Sequence, residues 1–329
     1  MSEAPRSCIR GIKMFEHVPA AALLVALIAD WQFGEPPNRL HPVVAMGNWI
    51  DLTRRQGRKF HSNAARFCIG LASLLLGMFV IGVIGWGIER LSLQTPFFVA
   101  VLIQAAVLKC SFSVRSLATA AESVAAALHR NDLSLARQQL AYHLVSRDVS
   151  KLDESSVAAA AVESVAENTS DSFIAPLIFF AVAGLPGALV YRYVNTCDAM
   201  LGYRTRDLEW LGKPAARVDD LLNLIPSRLT AALMLLVGTA CKCIDRREAI
   251  KVWWRDHRLT SSPNAGHPMS AAAGVLGVVL EKHDHYRLGG GQSLPTVASI
   301  VAANSLLYRT VIAGTLVAMV WLICVATIV

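Results

Sequence analysis

Charge is scarce in this chain. Only 17% of its 329 residues are Asp, Glu, Lys or Arg, against 54% hydrophobic, and mean hydropathy is +0.45. Soluble domains carry about 25% charged residues. The balance therefore argues against an ordinary soluble enzyme and against a disordered chain. Paired cysteines are also lacking. The seven cysteines, at 8, 68, 110, 197, 241, 243 and 324, form no CxxC spacing, and several lie in apolar runs where they act as small hydrophobes. Nothing suggests a disulfide framework or a zinc site. No Walker loop, no GxGxxG and no convincing series of alternating strands occurs, so any ATP is bound without a recognisable P-loop. The formal charge of +7 suggests nucleic acid, but a nucleic-acid partner does not fit so apolar a chain. A membrane protein with its positive charge gathered in loops explains both numbers.

Long uncharged runs decide the class. Residues 67–88 and 310–329 are clear membrane segments, with 91–108 and 172–191 next. A helix needs roughly 20 apolar residues to cross hydrocarbon. The shorter runs 17–29 and 229–241 read as short spans, re-entrant segments or buried helices. Four to six spans are expected, in an all-α, polytopic integral membrane protein of a bacterial inner membrane with cytoplasmic helical insertions. The organisation expected is one membrane domain over 1–329, a helical cytoplasmic region at 111–171, and a second polar region with loops at 244–309. The segment 51–66 carries Arg54, Arg55, Arg58, Lys59 and Arg66 against Asp51, which places it in the cytoplasm. The N-terminus resembles a signal peptide in its basic start, but Asp30 follows the apolar stretch without a small-residue cleavage pattern.

Between 111 and 171 there is no glycine or proline, which predicts helix, interrupted at Asn131-Asp132 and restarted with Asp153 as N-cap. A single crossing by 172–191 puts the polar motifs after it on the opposite side from those before it. Residues 195–228 hold Arg204, Arg206, Lys213, Arg217 and Arg228, which disfavours the outside. Pro176 and Gly184-Leu185-Pro186-Gly187 therefore predict a broken, re-entrant pair or two short helices returning to the same side.

Four clusters carry chemistry. Glu163, Glu167 and Asp171, spaced by four, share one side of a helix, where like charges repel. A divalent cation relieves that, and Mg²⁺ takes one or two carboxylates plus substrate phosphates; a solvated face is the alternative. Asp219, Asp220 and Asn223 converge at i, i+3 and i+4 if one helix carries them, which again suits Mg²⁺ and phosphate; helix capping and pairing with Arg217 or Arg228 is the alternative. Asn195 and Asp198 face the same way at the end of an apolar segment. Arg255 and His257, followed by Ser262-Pro-Asn264-Ala-Gly266-His267, offer cations and loop N–H groups to an anion. His257 is also a candidate general base, with a structural histidine as the alternative. Trp253 and Trp254 read as interface anchors.

Read in order, Asp30, Gly34-Glu35-Pro36, His41-Pro42-Val43, Arg147-Asp148, Glu163…Glu167-Asn168…Asp171, Asn195-Thr196…Asp198…Met200…Gly202-Tyr203, Asp219-Asp220…Asn223…Pro226-Ser227-Arg228 and Ser262-Pro-Asn-Ala-Gly266 resemble the cobinamide-phosphate synthase family of cobalamin biosynthesis, CbiB or CobD. The resemblance covers roughly residues 20 to 310. It implies a membrane ligase that joins aminopropanol, or its phosphate, to a cobyric acid carboxylate, with ATP and Mg²⁺. It implies Glu163, Glu167, Asp171, Asp219 and Asp220 as catalytic and metal-binding residues, with Asp198 also catalytic. Asn168, Asn195, Tyr203, Asn223, Arg228, Arg255, His257, Ser262, Asn264, Gly266 and His41 are implied in substrate binding. Association with other late cobalamin-assembly membrane enzymes is a further implication. The sequence departs from the family pattern at Glu35, Ala199, His267 and Met269, and in the charged stretch 281–287. Two other readings remain: an intramembrane prenyltransferase-like Mg²⁺/diphosphate enzyme, and a non-enzymatic membrane sensor of the AmpE kind.

Overall fold

The computed structural model describes residues 16–37, 39, 41–238, 245–290 and 293–328. Cys8, Cys241, Cys243, Ile244, Gly291 and the end of the apolar run 229–241 lie outside them. The described residues are helical apart from loops and one two-stranded hairpin. The helices are α1 (Val18–Phe33), α2 (Pro42–Gly57), α3 (Asn63–Ser92), α4 (Phe97–Lys109), α5 (Val114–His129), α6 (Leu133–His143), α7 (Glu154–Thr169), α8 (Ala175–Leu201), α9 (Glu209–Leu222), α10 (Leu224–Gly238), α11 (Arg246–Asp256), α12 (Gly266–Leu276) and α13 (Val297–Ile328). A π-helical turn, Ser170–Ile174, joins α7 to α8. Antiparallel β1 (Leu280–Lys282) and β2 (Tyr286–Leu288) precede α13.

Four stretches are long and apolar enough to cross a membrane: Asn63–Ser92, Phe97–His129, Glu154–Leu201 and Val297–Ile328. Glu209–Leu222 with Leu224–Gly238 makes a fifth if the pair is one broken span, and Val18–Phe33 is a shorter apolar helix. The protein belongs to the all-α class of polytopic membrane proteins. The contacts divide the chain into two compact units. Unit one is 1–113, 176–222 and 316–329; unit two is 114–175 and 223–315.

In unit one, α3 shows how the fold suits lipid. Its large side chains, among them Phe79, Ile84 and Trp86, face outward. Its inner face presents Gly70 to the Leu211 carbonyl, Gly77 to the Tyr193 ring and Gly85 to Pro186. Small residues let backbones approach closely where lipid replaces water as the solvent and hydrophobic burial between helices no longer drives packing. Met46, Ile50, Leu74, Tyr193, Cys197, Leu201 and Leu211 complete that core. The expected interruption of 172–191 is present: Ala183 and Gly184 leave helical geometry, Gly184 at φ 62°. The Leu185 N–H after the break donates to Glu89 Oε2 at 2.8 Å, so a side chain of α3 satisfies an amide that the interrupted helix cannot.

In unit two, α7 is the central element. Val157 through Ala161, Val162, Val165 and Ala166 are all buried, and α5, α6, α12 and β1 pack around it. Alanine supplies both helix propensity and the small volume that a helix enclosed by neighbours needs. The expected break at Asn131-Asp132 and the expected N-cap at Asp153 are both present. Asp153 accepts from the Ser156 N–H at 2.8 Å, and Asp132 accepts from the Leu135 N–H at 2.9 Å after Asn131 takes a left-handed turn at φ 55°.

Candidate functional site

In unit two, α12 packs on α7 while α10 packs on both α12 and the π-helical turn. The helix that carries Glu163 is thus packed on α12, and the start of α10 meets the loop before α12 at Asn264. Glu163 is 5% exposed. Its Oε2 lies 3.5 Å from the Arg147 guanidinium, and its Oε1 has no hydrogen-bond partner. Glu167 lies one turn on and is half-buried. Asp171 does not continue the stripe in α-helical phase. It sits in the π-helical turn, whose i→i+5 bonding breaks the regular spacing of four, and such turns are frequent at functional sites. Asn168 lies between them, donating to the Ser164 carbonyl and accepting from the Ser172 hydroxyl.

Asn223 also departs from the single-helix expectation. α9 ends at Leu222 and α10 begins at Leu224, so buried Asn223 occupies the break and does not share a helix with Asp219 and Asp220. Pro226 three residues later explains the restart, since proline suits a first helical turn. One turn into α10, Ser227 and Arg228 reach the other motif. Asn264 Oδ1 is 3.4 Å from both Ser227 Oγ and an Arg228 nitrogen.

The loop before α12 holds itself together. Ser262 Oγ accepts from the Asn264 and Ala265 N–H groups, which engages two of the amides expected to face an anion. Gly266 lies against the His257 carbonyl, where a Cβ would collide. The His257 and His267 rings are 4.5 Å apart, and Trp253 Nε1 donates to His267 Nδ1 at 3.3 Å. Burial, followed by the charges of Arg228, His257 and Arg258, pushes His267 down to about 4. Arg255 grips buried Asp256 through two nitrogens, at 2.6 and 2.7 Å, and also donates to the Gly289 carbonyl. Asp256 accepts the Gly289 N–H in return. Of the two arginines expected at phosphate, Arg228 is exposed and Arg255 is tied to the end of the β-hairpin.

Two hairpin residues absent from the sequence reading complete the surroundings of Glu163: Lys282 and Tyr286. Burial and the charges of Glu163 and Glu167 push the Tyr286 phenol up, which keeps it protonated and able to donate.

Unit one gathers a second polar set. Asn195 Nδ2 is 3.4 Å from Asp219 Oδ1, and Asp198 faces the charge of Asp220. Tyr203 is 43% exposed, beyond the end of α8. His41 caps α2. Its Nδ1 accepts the Val43 N–H at 3.2 Å, so Nε2 carries the hydrogen donated to Glu35 at 2.7 Å. Burial alone would raise the Glu35 pKa. Hydrogen bonds from His41 and Ser113, with the Lys109 charge, instead bring it to about 2. Lys109 was not foreseen as a site residue. The signal was a lone cation closing an apolar run.

Among the described residues, no three His, Cys, Asp or Glu side chains gather closely enough to hold a metal ion by themselves.

Comparison with known proteins agrees with the motif order. The CobD/Cbib protein family matches residues 23–313. The chain is 44% identical over 266 residues to a cobalamin biosynthesis protein CobD of Dehalococcoides mccartyi, covering 81% of this chain and 85% of the relative. It is 40% identical over 277 residues to a probable cobalamin biosynthesis protein CobD of Methanothermobacter thermautotrophicus, covering 82% and 86%. It is 39% identical over 307 residues to the CobD of Stutzerimonas stutzeri, covering 88% and 93%. No solved structure matches.

Proposed function

The chain belongs to the CobD/Cbib protein family, and from that premise we propose that it is a membrane-bound enzyme of cobalamin biosynthesis. Its reaction is the ATP- and Mg²⁺-dependent joining of aminopropanol, or aminopropanol phosphate, to a carboxylate of cobyric acid. The observation that carries this reading is the meeting of two separate motifs in unit two, where Ser227 and Arg228 contact Asn264, on helices packed with the one that carries buried Glu163.

An amide does not form from a free carboxylate and an amine at useful rates, so the carboxylate needs activation by phosphoryl transfer from ATP. A site for that reaction needs cations on phosphate, a way to fix the carboxylate, and a positioned amine. Arg228 is an exposed cation, and its guanidinium donates to the Leu224 carbonyl and to Asn264. Mg²⁺ commonly keeps substrate phosphates and water as most of its ligands. The unpartnered Glu163 Oε1 fits as one ligand, with Glu167 as a second. The ion would offset charge on the transferring phosphoryl group. The His257–His267 pair lies beside Arg228, and His257, whose Nδ1 donates to the Trp253 and Trp254 carbonyls, keeps Nε2 to accept a proton from the incoming ammonium. Positioning supplies much of the rate, because the amine then attacks as if intramolecular.

The test is reconstitution of the full chain in membranes with cobyric acid, aminopropanol phosphate, Mg²⁺ and ATP, read by mass spectrometry. The amide product with ADP or AMP is expected. Consumption of a prenyl diphosphate, with cobyric acid untouched, would overturn the reading in favour of a prenyltransferase.

A further inference from the structure

Unit two contains a cavity of about 430 Å³ at the start of α7. Its walls include Arg147, Lys151 and Lys282, together with the first-turn residues Ser155 and Ser156. Two acids also border it, and each is already engaged. Asp153 turns its carboxylate back onto the Ser156 N–H, and Glu281 pairs with Arg287 at 3.7 Å. The cations are differently placed. Among the described residues neither Lys151 nor Lys282 is in an ion pair, and Arg147 has only its 3.5 Å contact with Glu163. A guanidinium has five N–H donors in a planar fork, so most of this one is left for another acceptor. The start of α7 adds the positive end of a helix dipole, with the Ser156 amide already taken by Asp153. A dianionic group with several acceptor oxygens satisfies all of these at once.

We propose that this cavity binds a phosphate group of a substrate. Arg147 bridges the bound phosphate and Glu163, so that filling the cavity and setting the Glu163 carboxylate are coupled. Lys282 reaches the cavity from the β-hairpin, and the Asp256–Gly289 hydrogen bond holds the far end of that hairpin on α11. The proposal rests on the ligase reading only for the carrier of the phosphate, either ATP or the phosphorylated amine. The chemistry that recognises it is the same in both.

The test is equilibrium binding to the purified full chain, with no turnover required. The probes are ATP and aminopropanol phosphate, with inorganic phosphate as competitor and unphosphorylated aminopropanol as control. Lys151 is exposed and Lys282 half-exposed, so the variant K151A/K282A is expected to fold, which its thermal unfolding checks. The expected result is a Kd at least ten-fold weaker for a phosphorylated probe, with aminopropanol binding unchanged. Weakening confined to ATP identifies the nucleotide as carrier, and weakening confined to aminopropanol phosphate identifies the amine. Both affinities staying within two-fold of the parent, or no phosphorylated probe binding the parent protein, overturns the proposal. The two readings fail separately. A cavity that binds phosphate in a protein that makes no amide removes the ligase and keeps the cavity. Amide formation with unchanged KM values in K151A/K282A does the reverse.

Discussion

Lys109 at the end of α4 and Asp30 in α1 form a 3.0 Å ion pair whose two side chains are 8% and 4% exposed. Glu35 lies 3.4 Å from the same ammonium and is itself bonded to His41. Removing one partner of a buried pair leaves an uncompensated charge, at a cost of about 3–5 kcal/mol. Lys109→Met and Asp30→Asn are each expected to lower the unfolding temperature sharply. The double variant, which leaves only Glu35 without its cation and still bonded to His41, should recover part of the loss. A double variant worse than either single one would show that the pair is not the cause.

His267 gives stability a pH slope of definite sign. Its folded pKa, about 4, lies below the ordinary 6.5, so the unfolded chain takes up the proton first. The stability tied to its neutral form is complete above pH 6.5 and is lost as pH falls from 6.5 towards 4. Thermal unfolding at about pH 7.5 and about pH 5 should separate the parent protein from His267→Gln, whose curve is flatter across that window.

Arg228→Gln removes the exposed cation while keeping length and polarity. We expect amide formation to fall on the order of 10²-fold, as when a group that stabilises transition-state charge is removed. The unfolding temperature should hardly move. An equal loss of stability would make Arg228 a packing residue.

Glu163→Gln and Asp220→Asn address the two polar sets separately. Each is expected to abolish cobinamide phosphate formation in cells that depend on this chain for it. Normal product levels with either variant remove that residue from the catalytic reading.

Close packing around α3 predicts a cost for very small additions. Gly70→Ala places a methyl group against the Leu211 carbonyl, and overpacking of this kind costs typically 1–3 kcal/mol. A lowered unfolding temperature with unchanged substrate affinity is the expected result. Gly87→Ala, which meets nothing within 4 Å, is the control.

Much of this architecture was legible because uncharged runs and helix-start residues are local signals. The run 67–88 lies within α3, Asp153 does cap α7, and Gly184 does interrupt α8. Signals that depend on distant partners were not legible. Nothing near Glu89 announces that it caps Leu185, and nothing near Lys109 announces Asp30. The hairpin at 280–288 was missed because strands of three residues are too short to show alternation. The clusters were read with an ideal helical period. The π-helical turn at Asp171 and the break at Asn223 are where tertiary packing set aside that period.

The interruption in α8 also gives the protein an experimental handle. A backbone amide freed inside a membrane-embedded helix must find a partner, and here that partner is one carboxylate borrowed from another helix. The junction therefore depends on a single side chain of α3. Changing Glu89 to alanine, or adding a methyl group at position 184, would release it without touching any polar residue of unit two. Lipid organisation and chemistry could then be tuned one at a time in the same chain.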